Sequence, residues 1–109
     1  MATTYKVLGQ SSPSASTNTT LYTVPSATQT VVSTISICNQ NSTAAVYRIA
    51  VRPGGAALAS QHYVVYGATV PGVDTSMITV GLTLAATDVI TVWASSANVS
   101  FNAYGSEIA

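Results

Sequence analysis

Apolar side chains in this chain recur at every second position and nowhere at the three-to-four spacing of a helix. The alternation sets Val31, Ile35 and Ile37 on one side of one segment and Tyr47, Ile49 and Val51 on one side of the next. Ile78, Val80 and Leu82, then Ile90 and Val92, then Val99 and Phe101 continue it. These segments are rich in Val, Ile, Thr and Tyr and are separated by Gly, Pro, Asn, Asp and Ser clusters, which is the composition of short strands joined by turns. Strands are predicted near residues 20–24, 29–38, 45–52, 60–67, 76–82, 88–94 and 98–104. Seven or eight antiparallel strands, each with one face to bury, make an all-β two-sheet sandwich of jelly-roll or Greek-key type.

Residues Gly9 to Thr20 carry no large apolar side chain and so have nothing to bury. Ahead of them, the segment TYKVLG can form a strand but has no local partner. Residues 1–20 are therefore expected to be an N-terminal arm and linker, and residues 21–109 the sandwich domain. In that reading Tyr5, Val7 and Leu8 lie against a neighbouring molecule.

Only 6% of the 109 residues are charged, and the three basic ones, Lys6, Arg48 and Arg52, balance three acids. Each phosphate contact needs its own cation, so a nucleic acid is not an expected partner. No apolar run approaches the length that crosses a bilayer, and MATTYKVLGQ lacks the cationic start and apolar stretch of a secretory leader, which points to synthesis in the cytoplasm and no membrane partner. The single Cys38 has no intrachain partner and is expected as a small buried hydrophobe. His62 is the only imidazole, and no motif brings it to an acid and a nucleophile; it reads as a hydrogen-bonded structural residue. One Cys and one His do not make a zinc site, and Gly54-Gly55 precedes no Lys-Ser/Thr or helix, so it reads as a plain turn. Asp88 reads as a turn cap. The expectation is a protein with no enzymatic activity, metal, cofactor or small-molecule substrate.

The solvent-side positions carry Ser100, Asn102 and Tyr104 on the last strand, and His62, Val64 and Tyr66 on the fourth if Tyr63 and Val65 point inward. Hydroxyls, amides and aromatic rings suit a packed interface, where a solvated face would carry Lys and Glu. Tyr63 and Tyr66 are therefore candidate docking residues. Arg48 and Arg52, four apart on one strand, share a face and could meet an acidic partner patch.

The ordered series LYTVP (Leu21–Pro25), a Val-Ser-x-Ile strand ending in Cys38-Asn39, Arg-Ile-Ala-Val (Arg48–Val51) and Leu-x-x-x-Asp-x-Ile (Leu84–Ile90) resembles small virion structural proteins of tailed bacteriophages, cyanophages among them. Ser26 stands where that pattern has a Pro-Ala-Gly turn, and the loop around Pro71 is longer than a tight hairpin. The resemblance implies a capsid decoration (cement) protein that stabilises the head by bridging capsomers, localised to the virion. Its implied partners are the major capsid protein or other virion proteins, and its implied state is a homotrimer. The alternative it carries is a neck, tail or fibre component; a carbohydrate-binding module is a third class, against which Trp93 reads as core or interface.

Overall fold

In the computed structural model, which describes residues 2–109 apart from the side chain of Val80, the chain forms eight strands. They are β1 (Thr3–Ser11), β2 (Thr19–Thr23), β3 (Gln29–Asn39), β4 (Ala45–Arg52), β5 (Tyr63–Val70), β6 (Asp74–Leu84), β7 (Val89–Ala94) and β8 (Val99–Ile108). Two short 3-10 turns, Pro53–Gly55 and Ser60–His62, lie between β4 and β5. The strands make two antiparallel sheets, ordered β1-β8-β3-β6 and β2-β7-β4-β5. This is an all-β two-sheet sandwich, and the strand order is that of a jelly roll: β1 pairs with β8, β2 with β7, β3 with β6 and β4 with β5. The chain is thus one long hairpin, doubled back at residues 53–62 and rolled so that successive strand pairs fall in alternate sheets.

Between the sheets Leu21, Val24, Val32, Ile35, Ile37, Ile49, Val70, Ile90, Val92, Val99 and Phe101 are buried. The ring of Tyr47 meets Phe101 edge-on at 6.3 Å. The sides of the sandwich differ. At one side Gly9 lets β1 pass over β2 so closely that a Cβ there would lie 2.1 Å from the carbonyl oxygen of Leu21. At the other, Asn39 is buried and its amide donates to the carbonyls of Thr43, Val70 and Pro71, holding the β5–β6 corner.

Several expectations are corrected. The N-terminal segment is not a separate arm: β1 is the edge strand of the sandwich, in register with β8 from Thr3↔Ile108 to Ser11↔Phe101. The unpaired backbone edge of β8 supplies the partner that the local sequence lacks. Only residues 12–18 remain as a linker between the sheets, and Met1 lies outside the described residues. Leu8, expected to touch a neighbour, sits at the bulge between Val7 and Gly9 and is turned into the core. Val31 faces outward and Val32 inward, because β3 bulges between Val32 and Thr34 and the parity changes there. Ile78 and Leu82 pack against the core as expected; the inward assignment of Val80 falls outside the described residues. The fifth strand begins at Tyr63 rather than residue 60, since Ser60–His62 is a 3-10 turn in which the backbone N–H of Ala59 donates to Nδ1 of His62, the structural hydrogen bond expected of that residue.

One pair of the scarce charges ties the two sheets together at one end of the sandwich. The hydroxyl of Tyr22 donates to Oε2 of Glu107 at 2.5 Å and lies 2.8 Å from the hydroxyl of Thr30, whose proton is then the one shared between those two oxygens. Lys6 completes the group with an ion pair of 3.3 Å to Glu107. Burial, and then the bond to Glu107, pushes Tyr22 from 10.0 up to about 12; the Tyr22 hydroxyl, ahead of Lys6, holds Glu107 below 4.5.

Two predictions follow from register and linkage. Gly105→Ala would put a Cβ 2.0 Å from the carbonyl oxygen of Val31, backbone that cannot yield, whereas Gly54→Ala meets open space and bears only its positive φ of 62°. In urea denaturation Gly105→Ala is expected to lose about 3 kcal/mol or more and Gly54→Ala about 1 kcal/mol; the reverse order would contradict the β3–β8 register. A raised Tyr22 contributes stability that is complete below pH 10 and is lost as pH rises through about 12. A lowered Glu107 contributes stability that is present above 4.5 and is lost as pH falls through its depressed value. Denaturation midpoints of wild type should therefore fall at both extremes, and Tyr22→Phe should flatten both limbs. An unchanged pH profile in the variant would count against this pair as their source.

Candidate functional site

The two outer faces of the sandwich differ in chemistry, and they divide the candidate residues between them. On the β1-β8-β3-β6 sheet, cross-strand register places Tyr5, Ser106, Val31 and Thr83 in one outward row, and Val7, Tyr104, Thr34 and Thr79 in the next. A third row holds Gln10, Asn102, Ser36 and Met77, with the Gln10 amide donating to Asn102 at 2.7 Å. Tyr5 is 84% exposed and Met77 67%. None of these positions is charged. Lys6 and Glu107 have the opposite parity and turn toward Tyr22, and Asp74 lies at the strand end, where it accepts from the N–H of Thr75. Cys38, expected to be buried, is only half-buried on this same face, between Ser100 and Thr75 in the register.

The outer face of the β2-β7-β4-β5 sheet carries the aromatic residues and the arginines. Arg48 is paired across the strands with Trp93 on β7 and with Tyr66 on β5. Its guanidinium carbon lies 4.0 Å from the Trp93 ring centroid and 4.4 Å from that of Tyr66, a cation held between two aromatic faces. Nε of Arg48 is buried with no hydrogen-bond partner among the described residues. Tyr63 also points outward, meeting Tyr66 edge-on at 4.8 Å, because the bulge opposite Ile49 and Ala50 returns it to the face of Tyr66. Tyr63 thus does not share the inward direction of Val65, which packs on the core. Trp93 faces outward beside Arg48 and is half-buried by this stack rather than by the core.

Arg48 and Arg52 share this face, as their spacing predicts, but their roles diverge. Arg52 donates through Nε to Thr91 at 3.0 Å and through Nη1 to the carbonyls of Gly55 and Ala56. It is a clamp on the loop of residues 53–62. Asp88 fixes the same loop from below, accepting from the N–H groups of Gly54 and Ala85, the capping role its turn implied. That loop and β5 line an open depression of about 520 Å³, formed by Leu58, Ala59, Ser60, Tyr63 and Tyr66.

The seven candidate residues therefore do not form one patch. Tyr5 and Val7 lie on one outer face, Arg48, Arg52, Tyr63 and Tyr66 on the other, and Leu8 in the core. Sequence reasoning left Trp93 between core and interface, set Val31 inward and did not single out Met77, the latter two both being exposed. Trp93 sits at an odd position between inward Val92 and Ala94, a signal that alternation does contain. Among the described residues no three His, Cys, Asp or Glu side chains gather to hold a metal, and no helix is long and apolar enough to cross a membrane. Compared with known proteins, the chain matches no family model, no curated protein and no solved structure.

Proposed function

We propose that this protein is a non-enzymatic structural component of a virion, a decoration protein whose copies associate as a homotrimer on the capsid and bridge capsomers. The observation that carries the reading is the outer face of the β1-β8-β3-β6 sheet: four strands wide, without a charged side chain, and exposing Tyr5, Val7, Val31 and Met77. Water-facing sheets are ordinarily defended by Lys and Glu, and their absence suits a surface that is covered. A face without charge can be covered by a neighbouring subunit without stranding a charge, and a chain of net charge zero adds no long-range repulsion between copies. Apolar burial at about 25 cal/mol per Å², repeated over many copies, would resist the pressure of packaged nucleic acid. The jelly-roll strand order agrees with this reading by analogy, since viral capsid domains use it, although one fold serves many functions. The motif resemblance to phage virion proteins points the same way, with a neck, tail or fibre component as the second placement.

Sedimentation of the isolated protein tests the association. A species of three times 11.1 kDa is expected to persist from low to molar salt, because few charges are present to be screened. Val31→Lys with Met77→Lys should return it to monomer while leaving the denaturation midpoint within about 0.5 kcal/mol of wild type, both side chains being exposed. A wild-type monomer at high protein concentration, or a trimer indifferent to the two lysines, would overturn the role of this face. Immunogold labelling of phage particles from the encoding culture tests the location. Label over the head is expected, label confined to neck, tail or fibres would move the protein to the second placement, and no label on particles would overturn the virion reading.

A further inference from the structure

We infer that the opposite face, built by Trp93, Arg48, Tyr66 and Tyr63, is a binding site for a carboxylate-bearing saccharide. The inference is independent of the proposed assembly, since the two faces lie on opposite sides of the sandwich and share no residue. The row begins with register: Trp93, Arg48 and Tyr66 are direct neighbours across β7, β4 and β5, so their side chains stand in line across strands spaced by about 4.8 Å. Rings from β5 and β7 flank the guanidinium, with its carbon 4.4 Å and 4.0 Å from their centroids, and hold the fork between them. Nothing in the fold claims its N–H groups with a charge. Glu107 is engaged by Lys6 and Tyr22, Asp88 by two backbone N–H groups and Asp74 by that of Thr75.

Tyr66 belongs both to this stack and to the adjoining open depression, whose volume of about 520 Å³ is within the roughly 300–1,000 Å³ of small-ligand sites. The ligand chemistry follows from the lining. Two tyrosine rings and Leu58 offer apolar surface to the C–H faces of a sugar ring, and the tyrosine and Ser60 hydroxyls offer hydrogen bonds to its hydroxyl groups. An arginine with a fixed plane offers the two parallel N–H groups that a carboxylate accepts. A nucleotide fits less well: the Trp93 ring is already occupied by Arg48, and Arg52, the other cation of this face, is spent on Thr91, Gly55 and Ala56.

Trp93 is the only tryptophan, so its emission reports directly on the stack. The experiment titrates the full chain with a trimer of galacturonic acid and with a neutral galactose trisaccharide, following Trp93 fluorescence and, in parallel, heat by calorimetry. The acidic trimer is expected to bind at least tenfold more tightly than the neutral one. Arg48→Lys, which keeps the charge and loses the fork, is expected to weaken the acidic trimer at least tenfold while the protein retains its wild-type circular dichroism. Tyr63→Ala is expected to weaken both sugars. Equal binding of the two trisaccharides, acidic binding unaffected by Arg48→Lys, or neither a fluorescence change nor heat with the acidic trimer would each overturn the inference. Should Arg48→Lys misfold, the comparison of the two sugars on wild type decides alone.

Discussion

Strand β3 is hydrogen-bonded along both edges, to β6 on one side and to β8 on the other, and the rest of the molecule takes its register from it. The same irregularity, between Val32 and Thr34, interrupts both pairings. One residue of slippage in a strand moves every following side chain to the opposite face. On the Gln29 side of the bulge Thr30 and Val32 face the core; beyond it Ile35, Ile37 and Asn39 do. The bulge thereby lets both halves of an eleven-residue strand contribute to one core, and it is what turns Val31 out to join Tyr5 on the surface. Gly105, opposite Val32 on β8, is the position at which the strands approach too closely for any side chain.

With three acids and three bases, the fold rests on apolar packing and backbone pairing, and each charge has a specific task. Glu107 and Lys6 join the first and last strands at their ends, and Glu107 reaches through Tyr22 to the other sheet. Asp88 and Arg52 hold the loop where the long hairpin doubles back. Arg48 alone is held by rings rather than by an acceptor. A surface so nearly free of charge makes the two outer faces the natural places to look for function: one is uncharged, the other aromatic and cationic.

The rolled hairpin also explains why residues that looked like one group of candidates lie on different faces. Tyr5 and Val7 come from the first strand and Tyr63 and Tyr66 from the fifth, and alternate strand pairs of a rolled hairpin fall in alternate sheets. Tyrosines that look alike in the sequence are thus carried to opposite sides of the molecule.

The sequence by itself determined the class of structure. Period-two alternation in segments such as Tyr47–Val51 and Val99–Phe101, with turn residues between them, admits strands and excludes helices, because side-chain direction along a strand is a local property of the backbone. It also placed Arg48 and Arg52 on one face, and His62 and Asp88 in local hydrogen bonds. What only the tertiary structure decided was everything that depends on partners distant in the chain. That the N-terminal segment is an edge strand follows from the free edge of β8, about a hundred residues away, and no local pattern in residues 3–11 encodes it. The outward turn of Val31 and Tyr63 follows from bulges, which arise when two strands of unequal length must share one register. The stack of Trp93, Arg48 and Tyr66 joins three strands and exists only once β4 has found β5 and β7 as its neighbours, since the geometry that makes a guanidinium a fixed fork comes from the rings on its two sides and not from the arginine itself.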